Sequence, residues 1–327
     1  MRHALLKLSL CSLIATATFG SALAADNYPT RPVRMIVPFG PGGASDYVGR
    51  ILQPRMSQLL GQQLVIDNRA GASGNIGAEA AARATPDGYT ILLGNVGTMA
   101  INPTIFPKIP MRPLRDLIPV TQVVDVPGAL VINPKVPATS VSQFIAYLKA
   151  NPNKLNFGSP GPSSANCIVM DGFLLKTGTK MVNVPYKGGA GPAMVGLLGN
   201  EVQASFVTFS SAVNFAKQGR IRMLGVVAPK RVPVMPDVPT MAEQGFKDMT
   251  VGSWQGIFVP KGTPQAIVAK LFQITTETMK DPDVVKKLGA GGVDVVVSKS
   301  PAAFRQFVAA ETAAYAHVIK VAHIPTM

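Results

Sequence analysis

The residues best suited to chemistry in this chain are glycines and serines rather than acids, bases or nucleophiles. Pro38-Phe39-Gly40-Pro41-Gly42-Gly43-Ala44-Ser45-Asp46 joins an apolar run, Val33 to Phe39, to a segment in which Val48, Leu52, Met56 and Leu59 or Leu60 recur at helical spacing. Such a loop presents backbone N–H groups at the positive end of a helix, and its glycines let a ligand approach the main chain closely. The chemistry on offer is recognition of an anion. A phosphate loop would need Lys and then Ser or Thr after the last glycine, where Ala44-Ser45 stands. A dinucleotide fingerprint counted from Gly40 would need glycine at Ser45. Asp46 beside an anion reads as a residue that caps or orients the loop. A tight turn without ligand is the competing reading of this loop taken alone.

A second cluster, Gly158-Ser159-Pro160-Gly161-Pro162-Ser163-Ser164, occupies another junction between strand and helix. Serine hydroxyls and main-chain N–H groups suit carboxylate oxygens without any cationic side chain. Two such junctions, one in each of two lobes, would face each other across a cleft, since ligands of open α/β sheets bind beyond the carboxyl ends of the strands. Catalytic patterns are missing by contrast. No His-Glu-x-x-His, paired-cysteine or Gly-x-Ser-x-Gly sequence occurs, and apart from His3 the histidines, His317 and His323, lie near the C-terminus. The chain is therefore read as a binding protein and not an enzyme, with no cofactor and no metal. Lys187 is either a charge offered to a carboxylate or a solvated loop lysine. Trp254, the single tryptophan, reads as packing within the strand-like run to Val259.

The elements that must position these loops alternate. Strands are predicted at Val33–Phe39, Leu64–Asp67 and Tyr89–Leu93, with helices after the first and at Asn75–Ala84, and a kink at Pro54. That alternation predicts a mainly parallel sheet flanked by helices. Five prolines between Asn102 and Pro119 mark a boundary. Ile118–Val124 then reads as a strand crossing to a second αβ series. That series has strands at Ala129–Ile132, Leu155–Gly158, Met181–Val184 and Val202–Phe206, and helices at Val141–Ala150, Ser164–Lys176, Ala193–Leu198 and Ala212–Lys217. Ile221–Val227 reads as the crossing back. Thr263-Pro264 and Ser300-Pro301 each predict a helix start, a capping hydroxyl before a proline in the first helical position. The expected organisation is 25–124 with 225–327 as one lobe and 125–224 as the other.

Residues 1–24 have the form of a secretory signal: Arg2 and Lys7, an apolar stretch from Leu8 to Phe19, and Ala22-Leu23-Ala24 before an expected cut. Cys11 follows a bulky Leu10 and makes a poor lipid-attachment site. The predicted mature chain begins at Ala25, is periplasmic, and keeps one thiol, Cys167, which reads as a packed small side chain or part of a pocket wall. The whole chain has 31 Lys+Arg against 17 Asp+Glu, and losing Arg2 and Lys7 takes the net charge from +14 to +12. This excess favours anions. The basic residues are scattered, with Lys230-Arg231 and Lys286-Lys287 as doublets, which argues against nucleic acid. A basic surface that serves solubility alone is the alternative.

Further stretches complete a set: Asn68-Arg69-Ala70-Gly71-Ala72-Ser73-Gly74-Asn75-Ile76-Gly77, Pro86-Asp87-Gly88-Tyr89-Thr90, Pro185-Tyr186-Lys187-Gly188-Gly189 and Pro239-Thr240-Met241-Ala242-Glu243-Gln244-Gly245. With the first loop, and in this order from Tyr28 to the last helix, they resemble the periplasmic substrate-binding proteins of tripartite tricarboxylate transporters, the Bug family. The resemblance implies a two-lobed type II periplasmic-binding-protein fold with two crossover strands and a hinged cleft. It implies a small carboxylate held largely by main-chain groups and ordered waters, and delivery by a monomer to the permease subunits of the inner membrane. Carried over position by position, the site comprises Phe39, Gly40, Pro41, Gly42, Gly43, Ala44 and Asp46, with Asn95, Gly97 and Thr98, in the first lobe. In the second it comprises Ser159, Gly161, Ser163 and Ser164. The chain departs from the family at Ser163, where glycine is usual, and at Cys167, where histidine is usual. A periplasmic sensor for a signalling receptor is an alternative use of the same fold, and a secreted hydrolase is another.

Overall fold

A computed structural model describes residues 27–327 except 162–163, 188, 229, 248, 250–252 and 322–325. The signal sequence, Cys11, the cut before Ala25, Ser163 and His323 therefore lie outside the described residues.

Strand β1 (Val33–Val37) is buried except at Arg34, and it lies between β2 (Leu64–Asn68) and β3 (Thr90–Asn95), parallel to both. Helix α1 (Ala44–Leu60) connects β1 to β2, and α2 (Asn75–Ala82) connects β2 to β3. In α1, Val48, Leu52, Met56 and Leu60 recur every fourth residue and form the buried stripe; each such side chain contributes about 1.5–3 kcal/mol relative to exposure. The helix continues through Pro54 and stops at Gly61, whose φ of 68° only glycine adopts cheaply. After the proline-rich stretch, which folds into the short turns Asn102–Ile105 and Pro113–Asp116, β4 (Leu117–Asp125) joins this sheet and its chain runs directly into β5 (Gly128–Ile132) of a second sheet.

The second sheet has the order β7-β6-β8-β5-β9, with β6 (Asn156–Ser159), β7 (Val182–Pro185), β8 (Ala204–Thr208) and β9 (Arg222–Val227). Helices α3 (Val141–Ala150), α4 (Ala165–Thr177), α5 (Ala190–Gly199) and α6 (Phe209–Lys217) flank it. The chain then returns to the first sheet through β10 (Gln255–Pro260), followed by α7 (Gln265–Lys280), α8 (Pro282–Ala290), β11 (Asp294–Val295) and α9 (Pro301–Val321). The first sheet thus has the order β11-β4-β10-β3-β1-β2.

Both sheets are mixed. Parallel pairing holds for β1 with β2 and β3, and for β6 with β7 and β8. The two strands that enter from the other lobe run against their neighbours: β5 pairs antiparallel with β8 and β9, and β10 with β3 and β4. The return crossing also lies further along than the sequence predicts. β9 remains in the second sheet, and Val232, Val238, Met241 and Phe246 pack in the second lobe's cores. The chain comes back at Ser253, whose N–H donates to Val126 O at 2.9 Å, so the outgoing and returning segments touch where they cross. One expected cap fails as well. Thr263 Oγ1 donates to Pro260 O and Pro264 itself precedes α7, whereas Ser300 Oγ accepts from Ala303 N as expected.

Candidate functional site

The β1–α1 loop is shaped from within. Gly42 has φ of 85°, and its N–H donates to Asp46 Oδ2 at 3.1 Å. Arg50, one turn further along, donates through Nε to both Asp46 oxygens at 2.9 and 3.0 Å. Asn68 ties the loop to the end of β2 by donating to Phe39 O at 3.0 Å. Burial alone would raise the Asp46 carboxyl, but hydrogen bonds from Arg50, from Gly42 N–H and from Asn68 outweigh it and hold the group below its ordinary value. Asp46 is thus the orienting residue the sequence suggests. Its grip also occupies Gly42 N–H, so the donors left at this end are those of Gly43 and the first turn of α1, where no side chain caps the helix.

Next to this loop, Asn95 and Thr98 bond reciprocally. Thr98 N donates to Asn95 Oδ1 at 3.0 Å, and Asn95 N donates to Thr98 Oγ1 at 3.2 Å. The Asn95 side-chain oxygen is thereby engaged within its own loop. Thr98 is fully buried and acts on the site through Asn95. Gly97 opens a single π-turn, Gly97–Ile101, that the sequence does not signal.

In the second lobe, Ser164 caps α4: Cys167 N donates to its Oγ at 3.2 Å, while Oγ–H donates to Gly161 O at 2.8 Å. Ser159 points elsewhere. It is buried, and its hydroxyl donates to Asn183 Oδ1 at 2.8 Å. Asn183 Nδ2 in turn donates to Cys167 Sγ at 3.2 Å, and the thiol faces Asp171 at 3.6 Å. Burial, reinforced by the Asp171 charge, pushes the Cys167 thiol up to about 12. It is a packed side chain and not a nucleophile.

A narrow cleft lies between the lobes. Phe39, Gly43, Ala44, Asn95, Gly97 and Ser164 of the expected set line it. Ser45, Ser73, Val96, Asn102, Pro160, Ala165, Asn166, Ala190, Thr208 and Ser253 line it too and are absent from that set. Gly161 and Lys187 border a neighbouring hollow that shares Phe39, Ser73 and Pro160 with the cleft. Gly42 and Asp46 border a groove on the far side of the loop. Trp254 is packed edge-on against Phe304 and Phe307 and donates to Glu311 at 3.0 Å.

Four helices start at this cleft. Ala44 and Ser45 open α1 from the first lobe. Ala165 and Asn166 open α4, Ala190 opens α5 and Thr208 precedes α6 in the second. Each start carries partial positive charge and N–H groups without helical partners. No described lining residue is ionisable, and among the described residues no group of His, Cys, Asp and Glu could hold a metal ion. His317 lies on α9, away from the lining. Chemically the described lining can stabilise an anion by backbone dipoles and neutral donors.

Comparison with known proteins agrees with this geometry. Residues 48–324 match the family described as tripartite tricarboxylate transporter family receptor. Protein BugT of Bordetella pertussis is 38% identical over 308 residues, 94% of each chain. The structure superposes on the periplasmic binding protein BugD with a TM-score of 0.87 and 32% identity, covering 92% of this chain and 100% of that one. MatC of Rhodopseudomonas palustris, solved with bound malate, gives a TM-score of 0.84 and 32% identity, covering 89% and 100%.

Proposed function

The chain belongs to the tripartite tricarboxylate transporter receptor family, which comprises periplasmic solute-binding proteins, and from that premise we propose that it captures a small carboxylate between its lobes and hands it to the permease subunits of the inner membrane. The observation that carries this reading is the convergence of four helix N-termini on a cleft whose described lining has no charged side chain. A carboxylate seated there replaces its water shell with fixed N–H groups and with hydroxyls and amides from Ser45, Ser73, Asn95, Asn166 and Thr208. A cation would meet the positive ends of the same helices. The malate held by MatC is of the same chemical class.

The test is a thermal-shift screen of the purified protein against a library of carboxylates, with matched amines and neutral amides as controls, followed by calorimetric titration. A ligand that binds only the folded chain at a hundred times its Kd adds about 2.7 kcal/mol of stability. Carboxylates alone should raise the melting temperature. Stabilisation by amines but not by acids would overturn the proposal.

A further inference from the structure

The two lobes meet beside the cleft through glycine. The β1–α1 loop of the first lobe lies against the start of α5 in the second. A Cβ built on Gly191 would stand well inside contact distance of the Pro41 carbonyl oxygen, and one on Gly42 would lie 3.9 Å from Gly191 Cα. The obstacle at Gly191 is main chain on both sides. Pro41 O belongs to a loop held by the Gly42–Asp46 bond, so it cannot swing aside as a side-chain end would. Gly191 has an ordinary helical place inside α5 and no conformational reason of its own to be glycine. The space it leaves is used only when the lobes are together.

We propose that Gly191 is the positioning residue of lobe closure: its missing side chain lets α5 dock on Pro41, bringing Ala190 at the α5 start up to Gly43 and Ala44 across the cleft. The consequence for ligand affinity rests on the carboxylate reading above, since a site divided between two lobes is complete only when they meet. The contact itself does not.

The structure supplies a test that needs no ligand. A Cβ on Gly43 would lie 3.8 Å from Ala190 Cβ, the usual separation across a disulfide. Gly43 has φ of −86° and accepts a side chain. The pair Gly43→Cys with Ala190→Cys, in a chain carrying Cys11→Ser, is oxidised with glutathione disulfide, and the crosslink is followed by non-reducing electrophoresis and by the loss of two hydrogens in the mass. The pair should crosslink readily. Adding Gly191→Ala should slow the reaction about tenfold or more, because the competent closed population falls. Adding Gly199→Ala, in the same helix, where the new Cβ only reaches Glu201 Cγ at 4.0 Å, should leave it unchanged. Alanine favours helix over glycine, so folding of the Gly191→Ala chain is expected and is checked by its melting curve. Failure of the parent pair to crosslink, or equal rates with and without Gly191→Ala, would overturn the proposal. If no carboxylate binds, the function proposed above fails while this result still decides the closure contact.

Discussion

The Gly42 N–H and the Asp46 carboxylate close a five-residue ring at 3.1 Å, so the first turn of α1 holds the conformation of the loop that precedes it. The left-handed backbone at Gly42 and the acid at Asp46 form one device, and Arg50 neutralises it from outside.

Asp46→Asn should therefore loosen the loop and lower stability by about 1 kcal/mol, a charged hydrogen bond discounted for the exposed Arg50 partner. The pH dependence follows from the depressed carboxyl. Its stabilisation is fully present above the unfolded value and is lost as pH falls through the lower folded value. Urea unfolding of both chains between about pH 5 and pH 2 checks this, and the difference between them should shrink toward the acid end.

Gly42→Val and Ser45→Ala separate backbone shape from side-chain contact. The first puts a β-branched residue at φ of 85°, costing about 1–2 kcal/mol, and should weaken ligand binding at least about tenfold. The second removes one hydroxyl and leaves the helix-start N–H groups in place, so its Kd should stay within about threefold. Calorimetric titration of folded variants reads both, and wild-type affinity in Gly42→Val would show that the loop is only a turn.

Ser159→Ala should act on folding rather than on capture. It deprives Asn183 Oδ1 of its donor in a buried place, which costs about 1–2 kcal/mol. Ser164→Ala, by contrast, removes a helix cap worth about 1 kcal/mol and a hydroxyl that lines the cleft, so stability and affinity should fall together. Unfolding curves paired with titrations distinguish the two.

Cys167 should be inert to Ellman's reagent at pH 8 in the native protein and react fully once denaturant exposes it, since burial and Asp171 keep the thiol protonated. Fast native labelling would contradict the packing described.

The junction loops were legible in the sequence because glycine and serine clusters between a strand and a helix have few other uses. Phe39, Gly43, Ala44 and Ser164 reach the cleft for that reason. Ala190, Thr208 and Ser253 were not legible, since each enters the site only when the lobes dock. Ser159 carried a signal that could have been used. It lies two residues from Phe157 on β6, and side chains two apart on a strand share a face, here the one that meets the second lobe's core. Ile221–Val227 misplaced the return crossing because an apolar edge strand and an apolar crossing strand read alike. What distinguishes them is the later packing of Met241 and Phe246, a tertiary fact.

The neutrality of the described cleft lining reaches beyond affinity. A binding protein outside the inner membrane meets acidity and salt that its cell does not control, and a pocket built on lysine or histidine would change charge or be screened along with that medium. Dipoles of the main chain do not titrate. With no ionisable group in the described lining, the carboxylate capture proposed above should weaken only as the carboxylate itself becomes protonated.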